Sequence, residues 1–226
     1  RTLSDVIRII EGEENCEDLL ARNTMSVPAE EDAVASVMDF SEVIGQEGAK
    51  RGLEIAAAGS HNVILIGPPG SGKSSLAKAM SGILPPMEIE EAVQTSKIYS
   101  VAGKSRSGCG LMRRRPFRAP HISASIPALV GGGSDTVMPG EISLAHNGVL
   151  FIDELCEAPK RLIETLRAPM EDRKVVISRL KTKVEYPASF MLVAASNPCP
   201  CGFCGHPTKE CTCSPQSISR YLSRVS

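Results

Sequence analysis

A chain of 226 residues with 42% hydrophobic residues and a net charge of −1 has the apolar material for one large α/β domain, alone or with a small appendage. Aromatics make up 4% and Trp is absent, so the core is expected to be aliphatic. No apolar run approaches the ~18–20 residues of a membrane span, and the charged start RTLSDVIRIIEGEENCEDLL does not read as a signal peptide, so a cytoplasmic protein is expected.

Leu3, Val6, Ile7 and Ile10 fit a short amphipathic helix within residues 1–20, and the polar stretch ARNTMSVPAEEDAVASVM reads as linker. The chain begins at Arg1 and is expected to be a piece of a longer protein, with 1–38 the tail of an upstream domain plus a connection. From Asp39 the pattern changes. GQEGAKRGLEIAAAGSH reads as a helix ending at Gly59, with Leu53, Ile55, Ala56 and Ala57 available for burial. NVILIG (62–67), GVLFIDE (148–154) and SFMLVAASN (189–197) are continuous apolar runs of the kind that form strands buried on both faces. Helical segments lie between them, which predicts a parallel sheet covered by helices on both sides.

GPPGSGKS (67–74) follows the first of these strands and precedes a helical stretch, SLAKAMSGIL. This is the strand–loop–helix setting of a phosphate-binding loop. Gly67, Pro68, Pro69, Gly70, Ser71 and Gly72 turn the backbone so that its N–H groups face phosphates, and Ser75 continues the loop into the helix. Lys73 is placed to reach the β- and γ-phosphates, and Ser74 offers a hydroxyl to Mg²⁺. The second strand ends in Asp153, a further Mg²⁺ ligand, and Glu154, placed to polarise an attacking water. The alternative for Glu154 is a helix N-terminal carboxylate favoured by the dipole. Asn197 closes the third strand and is a candidate to orient the same water. Asn also suits strand-ending turns.

Charge is uneven. No acidic residue occurs from Ser96 to Ser134, where Lys97, Lys104, Arg106, Arg113, Arg114, Arg115 and Arg118 are found. This suits contact with a polyanion, or a plain solvated loop. EDRKVVISRLKTKVEYPAS (171–189) reads as a hairpin carrying Arg179, Lys181 and Lys183 near its tip, where they could grip phosphates or merely guard an edge. After Asn197 comes NPCPCGFCGHPTKECTCSP, with five cysteines. Four thiolates make a closed tetrahedral zinc site. Cys199, Cys201, Cys211 and Cys213 are the symmetrical set, and Cys204 and His206 are alternates. In a cytosolic chain clustered cysteines point to metal before disulfides. Cys16, Cys109 and Cys156 are isolated.

From about Asp39 onward the chain resembles AAA+ ATPases of the magnesium-chelatase-like group, in particular the ComM (YifB-like) family. The resemblance rests on GQEGAKRGLEIAAAGSHNVILIGPPGSGKS, RPFRAPH, PALVGGG, PGEISLAHNGVLFIDEL, EDRKVVISR, YPASFMLVAASNPCPCG and SRYLSRVS. It implies a P-loop AAA+ three-layer sandwich with a helix-2 insertion at about 100–135, facing a central pore, and a hairpin before the sensor strand. It also implies that Lys73 and Ser74 are Walker A, that Asp153 and Glu154 are Walker B, and that Asn197 is sensor 1. The cofactors implied are ATP and Mg²⁺. The partners implied are further copies in a ring, usually a hexamer, and DNA, gripped through Arg113, Arg114, Arg115, Arg179, Lys181 and Lys183. The activity implied is branch migration in recombination or DNA uptake. The alternative is a chelatase-like subunit working without DNA. The resemblance also implies that residues 1–38 close a domain resembling the Lon protease domain. The four symmetrical cysteines match the family's usual positions. Ile122 stands where the family usually has a second His after RPFRxPH. The segment with the arginine-finger candidate and the lid would follow SRVS, so little hydrolysis is expected of these residues alone.

Overall fold

The computed structural model describes residues 38–105, 111–133, 136–178 and 183–225. The tail and linker expected at 1–38 lie outside these residues apart from Met38, and so do Cys16, Cys109, Arg179 and Lys181.

Helix α1 (Glu47–Gly59) buries Leu53, Ala56 and Ala57, the i, i+3, i+4 stripe of one face. Ile55, expected to be buried, is 55% exposed, because two residues along a helix is about 200° around it. Strand β1 (Val63–Ile66) then leads into helix α2 (Lys73–Ile83). Helix α3 (Ile89–Val101) starts at a capping box in which Glu88 and Glu91 each satisfy the other's backbone N–H. Strand β2 (Phe117–Arg118) and helix α4 (Ile126–Val130) follow, then β3 (Gly131–Gly132) and β4 (Met138–Pro139), helix α5 (Glu141–Leu144) and strand β5 (Val149–Ile152). Helix α6 (Lys160–Asp172), strands β6 (Lys174–Ser178), β7 (Lys183–Pro187) and β8 (Met191–Ser196), and helix α7 (Pro215–Leu222) complete the order.

The central sheet is β1-β8-β5-β2, parallel throughout. Its register sets Ile64 beside Ala194 and Ala194 beside Ile152. Alternate residues serve the two faces. Val149, Phe151, Met191, Val193 and Ala195 pack with α1 and α2 through Leu53, Leu76, Ala77 and Met80. Leu150, Ile152 and Ala194 face Leu129, Ile142, Leu162 and Leu166 of α4, α5 and α6, with Val175 and Ile177 of β6. The result is a three-layer α/β sandwich with an aliphatic core, and the Phe117–Phe151 stack is its aromatic contact on the sheet.

The sheet corrects one expectation. β1 is not buried on both faces, since Ile64 is 44% and Ile66 55% exposed. The second helical layer covers β5 and β8, and among the described residues β1 is an edge strand.

β6 and β7 form the expected hairpin, antiparallel from Lys174↔Pro187 to Ser178↔Lys183. Tyr186 ties it to the body by donating its hydroxyl to the Val137 carbonyl at 2.6 Å. The antiparallel pair β3–β4, Gly131↔Pro139 and Gly132↔Met138, stands between α4 and α5, at the end of the stretch expected to hold the insertion. Arg113, Arg114 and Arg115 precede β2, on a segment that leads into the sheet.

Candidate functional site

The C-terminal ends of β1, β8 and β5 open on one side of the sheet, as in other open parallel sheets that bind ligands there. The loop after β1 climbs from Gly67 to Gly72, whose φ of +83° puts it in left-handed backbone directly before α2. That conformation suits Gly, and it turns the first N–H groups of α2 toward the loop. Gly67 N–H donates to the Ser196 carbonyl at 3.2 Å, so the loop's start is sewn to the end of β8.

Lys73 Nζ lies 2.8 Å from the Gly67 carbonyl, 2.9 Å from the Pro68 carbonyl and 3.4 Å from Asn197 Oδ1. Burial pulls its pKa below the usual lysine value, and the charges of Asp153 and Glu154 oppose that shift. Ser74 donates its hydroxyl to Asp153 Oδ2 at 2.7 Å. The hydroxyl and carboxylate thus meet at one point, as ligands of a single hard cation must. Asp153 Oδ1 accepts from Glu154 N–H at 2.9 Å. Glu154 is exposed with φ +51°, in the turn that ends β5. The structure therefore hydrogen-bonds Lys73 to Asn197 and, one residue along, Ser74 to Asp153, with Glu154 next in the chain. The same turn is followed by a 3-10 helix, Leu155–Glu157.

Gln46 also belongs to this region. Its side-chain amide donates to the Ser71 carbonyl at 3.3 Å across 25 residues of chain. It stands directly before α1 with φ +59° and lines a recess of about 170 Å³ beside the loop with Ala49, Pro68 and Ser71. The GQ dipeptide before an otherwise uncapped helix was the available signal.

A family model described as magnesium chelatase, subunit ChlI, matches residues 39–226. The chain belongs to this family. Within it the chain is ComM/YifB-like. It is 48% identical over 213 residues to uncharacterized protein YifB of Escherichia coli K12, covering 93% of this chain and 41% of that one. It is 45% identical over 227 residues to competence protein ComM of Haemophilus influenzae, covering 100% of this chain and 43% of that one. The chain thus spans about two fifths of the length of these relatives. Identity to the magnesium-chelatase 38 kDa subunit of Rhodobacter capsulatus is 25% over 177 residues, 72% of this chain and 51% of that one. A solved structure of the complex between subunits BchI and BchD of magnesium chelatase superposes with a TM-score of 0.57 at 24% identity, covering 84% of this chain and 60% of that one. That likeness shows the fold, the three-layer α/β sandwich.

In this magnesium-chelatase-like chain the cysteine segment follows Asn197 directly. The sulfurs of Cys199, Cys201, Cys211 and Cys213 lie within 4.8 Å of one another. Cys199 Sγ is 3.4 Å from Cys201 Sγ and 3.7 Å from Cys211 Sγ, and the latter two are 3.6 Å apart. Four sulfurs about 2.3 Å from a shared zinc would stand about 3.8 Å apart, so the residues fit. Backbone donation from Phe203 brings the Cys201 thiol down to about 6. The Cys211 thiol, despite a backbone hydrogen bond with Cys213, is pushed up to about 12 by desolvation and by Cys201 and Cys199 beside it. Of the alternates, Cys204 donates its backbone N–H to Cys199 Sγ at 3.3 Å. His206 Nδ1 accepts from the Thr208 and Lys209 N–H groups and so caps its own turn. Cys156 is buried apart from the cluster.

Among the basic residues Arg113 and Arg114 are exposed. Arg115 is not turned outward. Its guanidinium donates to Glu91, to the Pro85 and Pro86 carbonyls and to the Asn147 carbonyl. Arg118 makes a bidentate pair with Glu141 at 2.5 and 2.7 Å. Lys183 opens β7, exposed and 3.8 Å from Glu185. Arg224 Nη1 donates to the Cys156 carbonyl. No helix among the described residues is long and apolar enough to cross a membrane.

Proposed function

We propose that this chain is the ATP-binding and ATP-hydrolysing core of a cytoplasmic, ring-forming motor that acts on branched DNA. The observation that carries the nucleotide reading is the two adjacent pairs at the strand ends, Lys73 with Asn197 and Ser74 with Asp153. In this reading the loop Gly67–Ser75 wraps the phosphates and Lys73 meets the β- and γ-phosphates. Ser74 and Asp153 hold Mg²⁺, which when bound neutralises charge on the phosphates. Glu154 takes the proton of the attacking water and Asn197 orients that water. A neighbouring copy supplies the arginine that completes the site, in a homo-oligomer taken to be a hexamer. Cys199, Cys201, Cys211 and Cys213 hold a structural zinc.

The DNA reading rests on exposed Arg113 and Arg114, on Lys183 of the hairpin with Arg179 and Lys181 from the sequence between its strands, and on a relative named for competence. Arg115 is left out of this set, since its donors are spent inside the domain. A second reading is a chelatase-like subunit that works without DNA, which the matching family model favours.

The test is the ATPase rate of the full-length protein with and without forked DNA, beside Glu154→Gln. Stimulation by the fork that vanishes in the variant supports the DNA motor. Basal hydrolysis indifferent to every DNA refutes it and favours the chelatase-like reading. No Mg²⁺-dependent ATP binding would sink both.

A further inference from the structure

The four-thiol cluster does not only follow Asn197 in sequence; its turn leans on the nucleotide loop. β8 ends at Ser196, whose carbonyl holds Gly67 N–H. Asn197 reaches Lys73, and two residues later Cys199 is fully buried. Between the first cysteine pair and Cys204 the chain makes a tight turn, in which Gly202 donates its N–H to the Cys199 carbonyl at 2.9 Å. Gly202 has φ +82°, and a Cβ added to it would stand 2.8 Å from Cδ and 2.9 Å from Cγ of Pro69. The backbone of the cysteine turn therefore lies directly against the proline ring of the phosphate loop, a group with little freedom to yield.

We propose that a soft divalent cation, zinc first, held by Cys199, Cys201, Cys211 and Cys213 sets the affinity of the nucleotide loop for ATP through the contact of Gly202 with Pro69. This rests on the zinc reading of the four thiols. Thiolates this close repel one another unless a cation joins them. The cation ties the segment of Cys211 and Cys213 to the turn of Cys199 and Cys201, and so presses that turn on Pro69. The loop behind Pro69 passes through left-handed backbone at Gly70 and Gly72, with nothing within 4 Å of where a Cβ would stand at either, and Gln46 holds it only through the Ser71 carbonyl between them. A wall on its outer side keeps it in the phosphate-binding shape, so binding does not have to order it. Coupling of this kind is reciprocal: ATP must tighten the cation by the factor by which the cation tightens ATP.

The experiment uses the full-length protein. Zinc is counted by mass spectrometry, and ATP affinity is measured with a fluorescent ATP analogue in excess Mg²⁺, before and after stripping by a chelator selective for zinc. One zinc per chain is expected, with at least a tenfold loss of ATP affinity on stripping, recovery on zinc addition, and slower zinc loss when ATP is bound. Two variants separate contact from backbone strain. Gly202→Ala puts a methyl against Pro69; it is expected to keep its zinc and to bind ATP at least fivefold more weakly. Gly205→Ala places the same methyl on similar left-handed backbone, φ +76°, with nothing within 4 Å; it is expected to keep both zinc and affinity. Gly202→Ala with wild-type affinity, or an equal loss in Gly205→Ala, overturns the proposal. So does zinc removal that leaves ATP affinity unchanged, although the zinc site itself then stands. A protein that holds and takes up no zinc overturns the metal reading.

Discussion

Arg115→Ala is expected to cost stability and, on the proposed DNA reading, to leave any sequence-independent DNA affinity largely unchanged. The side chain is 17% exposed and clamps three segments together. Its Nε donates to Pro85 O at 2.7 Å. Its Nη1 and Nη2 meet Glu91 at 3.1 and 2.8 Å, and Nη1 also meets the Asn147 carbonyl at 2.9 Å. A forked guanidinium–carboxylate pair contributes about 1.5–3 kcal/mol when partly buried. Glu91 is 32% exposed and keeps its cap on Glu88 N–H at 3.0 Å, so water and the helix start take up part of the loss. The stranded carbonyls add to it, giving about 3 kcal/mol in all. In a domain of this size that lowers Tm by about 6–12 °C. Thermal unfolding of the full-length protein measures it, with Arg115→Lys falling between, since a point charge cannot replace the fork. A melting point within about 2 °C of wild type, with a loss of DNA affinity equal to that of Arg113→Ala, would show a guanidinium free in solution and refute the reasoning.

Lys73→Ala removes the ammonium that spans the loop carbonyls and Asn197; ATP affinity is expected to fall about 10–100-fold, read by equilibrium titration in Mg²⁺. His146 is buried, accepts Ser189 N–H at Nδ1 and contacts Gln94 through Nε2, and burial holds its pKa below the ordinary value against the pull of Glu91. A depressed histidine favours the neutral fold, so its contribution is present above about pH 6.5 and is lost as pH falls through the lower folded value. Between pH 7 and pH 5 the wild type should therefore lose more Tm than His146→Gln, and equal losses would count against this assignment. Tyr186→Phe deletes the tether from the hairpin to Val137 and is expected to cost about 1 kcal/mol, or 2–4 °C in Tm, with ATP affinity unchanged.

The strands and the nucleotide loop were legible because apolar runs and the glycine–lysine motif are local signals. The three continuous runs became β1, β5 and β8. What failed was non-local. Ile64 and Ile66 read as core, yet whether a strand is flanked on both sides depends on its neighbours in the sheet. Arg115 read as one member of a basic run. Nothing nearby reveals that Glu91, 24 residues earlier, is its partner. The turn between α4 and α5 was not legible either: Gly131 and Gly133 are close-packed against Met138, Gly140 and Thr136, which come later in the chain. The cysteine spacing pointed to the symmetrical set that converges, Cys199, Cys201, Cys211 and Cys213, because paired spacing is itself a local signal.

The sheet order also has a consequence in time. β1, which carries the phosphate loop, and β5, which carries Asp153, never touch; each is joined to the other only through β8. Val63 waits for Val193, so the pairing is long-range and slow to close. During synthesis the loop and the acidic strand leave the ribosome well before the strand that aligns them. Until then Leu65 and Phe151 have apolar faces without a central neighbour, a state in which chaperones and aggregation compete for the chain. β8, which Asn197 follows, is the keystone of assembly, and mutations within Met191–Ser196 should appear first as poor folding yield and only then as altered nucleotide binding.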